Sequence, residues 1–139
     1  MTEVIVVNAQ TGGAKGTKPE RMDLLPGECL IGLARHYGIG SLKYDDDNWM
    51  KGYDWKFSYA ALQRHAVDWW GGFEWAEETF ECKETGEQVT VLVNHMLAVA
   101  WHAFALYWFS EHKREHAPLR FAHCLPPSEQ VHAYTVLTE

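Results

Sequence analysis

The stretch from about Val91 to Glu115 limits the fold more than any other, because Leu92, His95, Val99, His102 and Leu106 recur along one face at helical spacing. Its flanks are apolar too. A helix without a polar side is expected at the centre of a molecule, mostly buried by its neighbours. With 139 residues in all, the chain has room for one core around such a helix and little for a second.

Two shorter helices are expected to pack on it. Leu24-Leu25-Pro26 leads into the first, over about residues 27–37, with Leu30, Leu33, Ala34 and Tyr37 at helical spacing and Gly38 and Gly40 as its stop. Ser58 is the expected N-cap of the second, which runs to about Trp70 on an apolar side of Leu62, Ala66, Trp69 and Trp70 and stops at Gly71-Gly72. Residues 41–54 between them read as an ordered polar loop. Val4-Ile5-Val6-Val7 reads as a short edge strand before a Gly-rich loop over residues 11–19. Residues 79–91 alternate as a hairpin about Glu84-Thr85-Gly86 would, although helix and strand readings compete there. Pro118 ends the central helix, and Pro126-Pro127 sets off a tail in which Val131 to Thr138 are expected to form a strand or to dock on a neighbouring subunit. The expected fold is mainly α, a compact helical domain with a long central helix and short β elements at the termini and near residues 79–91. One domain spans residues 1–139, with residues 1–20 as a flexible N-terminal loop and 118–139 as a C-terminal tail.

Composition removes several function classes. A net charge of -7 disfavours a nucleic-acid polymer as partner, since such binding draws on clustered Lys and Arg. A small phosphorylated ligand stays open, because two or three local cations or a carboxylate-held metal meet its charge. Cys29, Cys82 and Cys124 are odd in number and lack CxxC pairing, which points away from a disulfide framework and toward a reducing cytoplasm. No apolar run reaches the roughly 18 residues of a membrane span, so no membrane partner is expected.

Between Lys43 and His65 the chain gathers Lys43-Tyr44, Asn48-Trp49, Lys51-Gly52-Tyr53, Trp55 and Arg64-His65. Packing alone needs few such groups, so their density beside a helix suggests a site for a phosphorylated, aromatic ligand.

The order and spacing of Thr11-Gly12-Gly13-Ala14-Lys15, Arg21 with Leu24-Leu25-Pro26, Lys43-Tyr44, Asn48-Trp49, Lys51-Gly52-Tyr53, Ala61, Arg64-His65, and Glu84-Thr85-Gly86 ahead of His95 resemble a phage family, the N-terminal domain of dATP/dGTP diphosphohydrolase. The likeness covers about residues 11–110. It implies a virus-encoded, helical, nucleotide-handling protein of the host cytoplasm that hydrolyses a purine deoxynucleoside triphosphate to the monophosphate and pyrophosphate. The chain departs from the family pattern where an acidic Gly-Glu-x-x-Asp-x-Glu type run is expected after the second helix, and Ala98 stands where a second histidine would follow His95.

Such hydrolysis requires neutralised phosphate charge and an activated water, most often through Mg²⁺ or Mn²⁺ held by carboxylates. Glu74 and Glu84 are the expected metal ligands, drawn from a run that includes Glu77, Glu78 and Glu81 and that reads equally as a solvated acidic face. Glu84, His65 and His95 are the expected catalytic residues. Lys15, Lys43, Tyr44, Asn48, Trp49, Lys51 and Arg64 are the expected ligand contacts, with Arg64 offering a planar fork to phosphate. Arg64 also stands four residues before Asp68, as in a surface ion pair. Adjacent helical residues point about 100° apart, so only one of Arg64 and His65 can aim at the centre of a site. His95 and His102 face the same way on the central helix and also fit hydrogen-bonded core roles. A non-catalytic protein that sequesters a signalling nucleotide of host antiviral defence is the alternative function. The aromatic excess suits a homo-oligomer with sites between subunits.

Overall fold

A computed structural model of the chain describes residues 3–129. Among the described residues, three α-helices and two small antiparallel sheets make a mixed architecture, so the mainly α expectation holds only loosely. The first sheet pairs β1, Val4–Val7, with β2, Ala14–Thr17. Helices α1, Gly27–Lys43, and α2, Trp55–Trp70, follow. The second sheet pairs β3, Trp75–Glu81, with β4, Gln88–Asn94, and α3, His95–His112, begins at the next residue.

The central position of α3 follows from its all-round apolar surface. It packs mainly on α2 and also on α1 and β4, and Ala98, Ala105 and Phe109 are buried within it. It starts later than expected because residues 91–94 belong to β4. Asn94 closes the strand and caps the helix, its Oδ1 accepting from the Met96 and Leu97 amides at 3.0 and 3.1 Å.

Helix α1 passes through Gly38 and Gly40 rather than stopping there. Each interior glycine costs about 1 kcal/mol relative to alanine, but the helix end is tied from outside. The Lys83 amide donates to the Leu42 carbonyl at 2.9 Å and the Lys83 ammonium to the Tyr44 carbonyl at 2.9 Å. The expected N-cap of α2 is also corrected: Asp54 caps it, accepting from the Lys56 amide at 3.0 Å. Ser58 lies one turn inside, fully buried against α3.

Strand wins over helix in the acidic segment. Ala76, Glu78 and Phe80 alternate to the inner side of the hairpin with Val89, Val91 and Val93 on the partner strand, while Glu77 and Glu81 face out. The turn beyond Glu81 needs Gly86, whose φ is +71°. The Gly-rich N-terminal loop is shorter than expected because β2 pairs with β1 inside it. The expected strand at Val131 to Thr138 lies outside the described residues.

Candidate functional site

A cleft of about 800 Å³ opens between the C-terminal half of α1, the following loop, the inner face of the β3–β4 hairpin, and α3. Helix α1 supplies His36, Tyr37 and Lys43; the loop supplies Tyr44, Asp45, Asp46, Asp47, Asn48 and Trp49. His65 enters from α2, Glu78 and Phe80 from β3, and Trp101 and His102 from α3. Local geometry accounts for much of this. His36 and Lys43 are two helical turns apart on one face of α1. Asp47 takes a left-handed φ of +58°, turning the chain into the 3-10 turn Asn48–Lys51 and bringing Asn48 and Trp49 back to the cleft.

The rings on one wall pack on one another. Trp49 meets Trp108 edge-on at 5.2 Å between centroids and Trp101 at 6.1 Å, and Tyr37 lies 6.0 Å from Trp101. Trp49 is therefore held by core rings as well as facing the cleft. Tyr44 is 53% exposed, and its ring carries the Lys43 ammonium 5.2 Å from its centroid.

The polar groups divide into two sets. Those on the floor satisfy one another: His65 Nδ1 is 2.9 Å from His95 Nδ1, His102 Nδ1 is 3.1 Å from Ser58 Oγ, and Ser58 Oγ is 2.7 Å from the Tyr53 hydroxyl. His65 also stacks on His102 at 6.0 Å and 27°. In contrast, the side chains of His36, Lys43, Asn48 and Glu78 make no hydrogen bond or ion pair among the described residues, and all four face the cleft.

His36, His65 and His102 favour their neutral forms. Burial lowers the His36 pKa, with Glu78 opposing and His65 adding to the effect. Burial, then His95, lowers His65, with Glu78 and Asp68 opposing. His102 is pushed down to about 4, first by burial and then by His65, His36 and Arg64. Among the described residues lining the cleft, Lys43 is the one lysine or arginine, and it faces Asp45, Asp46, Asp47 and Glu78.

The expected site residues fall into three groups. Lys43, Tyr44, Asn48, Trp49 and His65 share the cleft, and His95 is buried beneath it in contact with His65. Arg64 points elsewhere, round a shallow hollow with Gln63, Val67 and Asp68, as the 100° step from His65 requires. Lys15, in β2, and Lys51, exposed at the end of its 3-10 turn, lie outside the cleft. Glu74 and Glu84 also lie outside it. They flank β3, whose seven residues span roughly 23 Å at about 3.3 Å each, too far to share an ion. Among the described residues no three His, Cys, Asp or Glu converge to hold a metal.

Sequence reasoning passed over His36 and did not select Glu78. Both had a periodic signal: His36 stands seven residues before Lys43, and Glu78 alternates with Ala76 and Phe80 on an otherwise apolar strand face.

Residues 9–118 match a family model described as dATP/dGTP diphosphohydrolase, N-terminal. No curated protein and no solved structure matches the chain.

Proposed function

The chain belongs to the dATP/dGTP diphosphohydrolase N-terminal family, and from that premise we propose that its cleft binds a purine deoxynucleoside triphosphate and hydrolyses it to the monophosphate and pyrophosphate. One observation carries the reading: Lys43, Asn48, His36 and Glu78, whose side chains make no hydrogen bond or ion pair among the described residues, converge on one ring-walled void. Lys43 takes a phosphate. The Asn48 amide pairs with a purine edge while the exposed Tyr44 ring stacks on the base.

Asp45 is paired with Lys83 at 3.7 Å, but Asp46, Asp47 and Glu78 against Lys43 still do not welcome a triphosphate alone. Mg²⁺ or Mn²⁺ fits as a partner of the nucleotide rather than as a resident of the protein, because Mg²⁺ is commonly held by one or two carboxylates together with substrate phosphates. Glu78 and the Asp45–Asp47 loop offer those carboxylates; Glu74 and Glu84 do not. The cation neutralises phosphate charge when bound.

The His65–His95 pair supplies a proton acceptor. With His65 Nδ1–H donating to His95 Nδ1, His65 Nε2 is bare and takes one proton while the shared hydrogen bond survives. The reading has the protein acting in the host cytoplasm. No helix among the described residues is long and apolar enough to cross a membrane.

Purified protein with dATP or dGTP and Mg²⁺ or Mn²⁺ is expected to release pyrophosphate. Absence of turnover with every purine triphosphate removes the hydrolase reading. Ala98, buried where the family pattern would place a second histidine, favours a second reading, a sponge that sequesters a nucleotide unaltered. Recovery of the intact ligand after denaturation of the complex supports the sponge, and recovery of a monophosphate excludes it.

A further inference from the structure

Residues 3–31 contain no buried position, and only Gly16 among them is half-buried. Val4, Ile5, Val6 and Val7 are 54–69% exposed, and Met22, Leu24 and Leu25 are exposed as well. Among the described residues, the β1–β2 hairpin makes its extensive contacts only within itself. A two-stranded sheet without a covered face is at best marginally stable in water. One edge of β1 also presents unpaired backbone groups, a template for another chain.

The surface area says how much is missing. The chain exposes 10884 Å², whereas a compact monomer of 16.0 kDa exposes about 7400 Å². Allowing the residues outside 3–129 the most that chain of their length can expose, about 2000 Å², leaves an excess of roughly 1500 Å². A standard interface needs about 800 Å² per partner.

Charge and composition indicate what covers the arm. Up to Leu25 it balances Lys15, Lys18 and Arg21 against Glu3, Glu20 and Asp23, so the net charge of -7 resides in the rest of the chain. Two such acidic bodies repel when pressed together, but a neutral apolar arm can cross between them. Each body also leaves apolar helix surface uncovered at Phe57, Val67 and Trp70 of α2 and at Phe104 and Tyr107 of α3. Among the described residues, every copy thus carries both an arm without cover and a surface without a partner, which a symmetric pair satisfies reciprocally.

We propose that the N-terminal arm, residues 3–25, is an assembly element covered by a second copy of this chain. The assignment is independent of what the cleft binds. It is tested by light scattering on the full chain at micromolar concentration, for the wild type and for a Val4→Asp/Val6→Asp variant. The expected result is a wild-type mass of twice 16.0 kDa or a higher multiple, and a lower mass for the variant with an unchanged circular dichroism spectrum. A monomeric wild type, or a variant of unchanged mass, overturns the proposal. Should the variant not fold, hydrogen exchange of the wild-type Val4–Val7 amides decides: protection that rises with protein concentration supports an intermolecular cover, and concentration-independent exchange overturns it.

Discussion

The Nδ1 atoms of His65 and His95 lie 2.9 Å apart, so one ring must donate and the other accept. Two imidazolium rings would set N–H against N–H. The pair therefore tolerates one added proton and not two, and it joins the middle of α2 to the first residue of α3 directly beneath the cleft. Replacing His65 with Ala leaves His95, 4% exposed, without its partner, at an expected cost of about 1–3 kcal/mol by urea denaturation. If His65 is the proton acceptor, turnover falls about 10²–10⁴-fold. His65→Ala and His95→Ala are expected to be non-additive by roughly 0.5–3 kcal/mol; strict additivity removes the shared-proton account.

Ser58 has no solvent exposure and bridges Tyr53 and His102. Ser58→Ala strands two polar groups at once. A loss of about 1–3 kcal/mol is expected in chemical denaturation, and a neutral result removes the bridge from the account of stability.

Stability is expected to fall as pH drops from about 6.5 toward 4. Unfolded imidazoles titrate near 6.5, while His102 is held down to about 4 and His36 and His65 are also lowered. Within that window the unfolded chain binds more protons, so acid favours unfolding; above it the contribution is complete. A full shift at His102 would be worth about 3 kcal/mol, and partial solvation reduces this to the order of 1–2 kcal/mol. Urea midpoints across pH are expected to show the slope, flattened in His102→Asn. A flat wild-type profile counts against lowered pKa values at His36, His65 and His102.

Glu78 and the two site carboxylates expected from sequence make opposing forecasts. Glu78→Gln is expected to lower turnover at least about 10²-fold with less than about 0.5 kcal/mol change in stability, as for a side chain without a hydrogen bond or ion pair among the described residues. Glu74→Gln and Glu84→Gln are expected to leave both nearly unchanged, as is nucleotide affinity in Arg64→Ala. Steady-state kinetics with nucleotide titrations separate the cases, and a large Glu84 effect restores the sequence assignment.

Gly52 explains part of the Lys51-Gly52-Tyr53 motif as backbone geometry. Its φ is +88°, and an added Cβ would stand 2.9 Å from Lys113 Cδ and 3.0 Å from His116 Cδ2. Gly52→Ala is expected to destabilise by about 1–3 kcal/mol, read as a lowered melting temperature; an unchanged value argues against strain there.

How far the sequence could be read is clearest at α3 and the hairpin. The all-round apolar run placed α3 at the centre, and alternation with Gly86 gave the turn of the hairpin. The extension of α1 through two glycines was hidden, because ties from Lys83, some forty residues away, outweigh local propensity.

The cleft divides in the same way. Motif order alone brought together Lys43, Tyr44, Asn48, Trp49 and His65, which line one cleft, since a loop and two flanking helices keep near neighbours near. The sequence by itself also determined that Arg64 and His65 point apart, a consequence of helical pitch. Only the tertiary structure decided that His65 is the one turned inward, that Glu78 rather than Glu74 or Glu84 faces the cleft, and that His36 joins them. Local periodicity sets which residues share a face, but which face is covered depends on what packs against it from elsewhere in the chain.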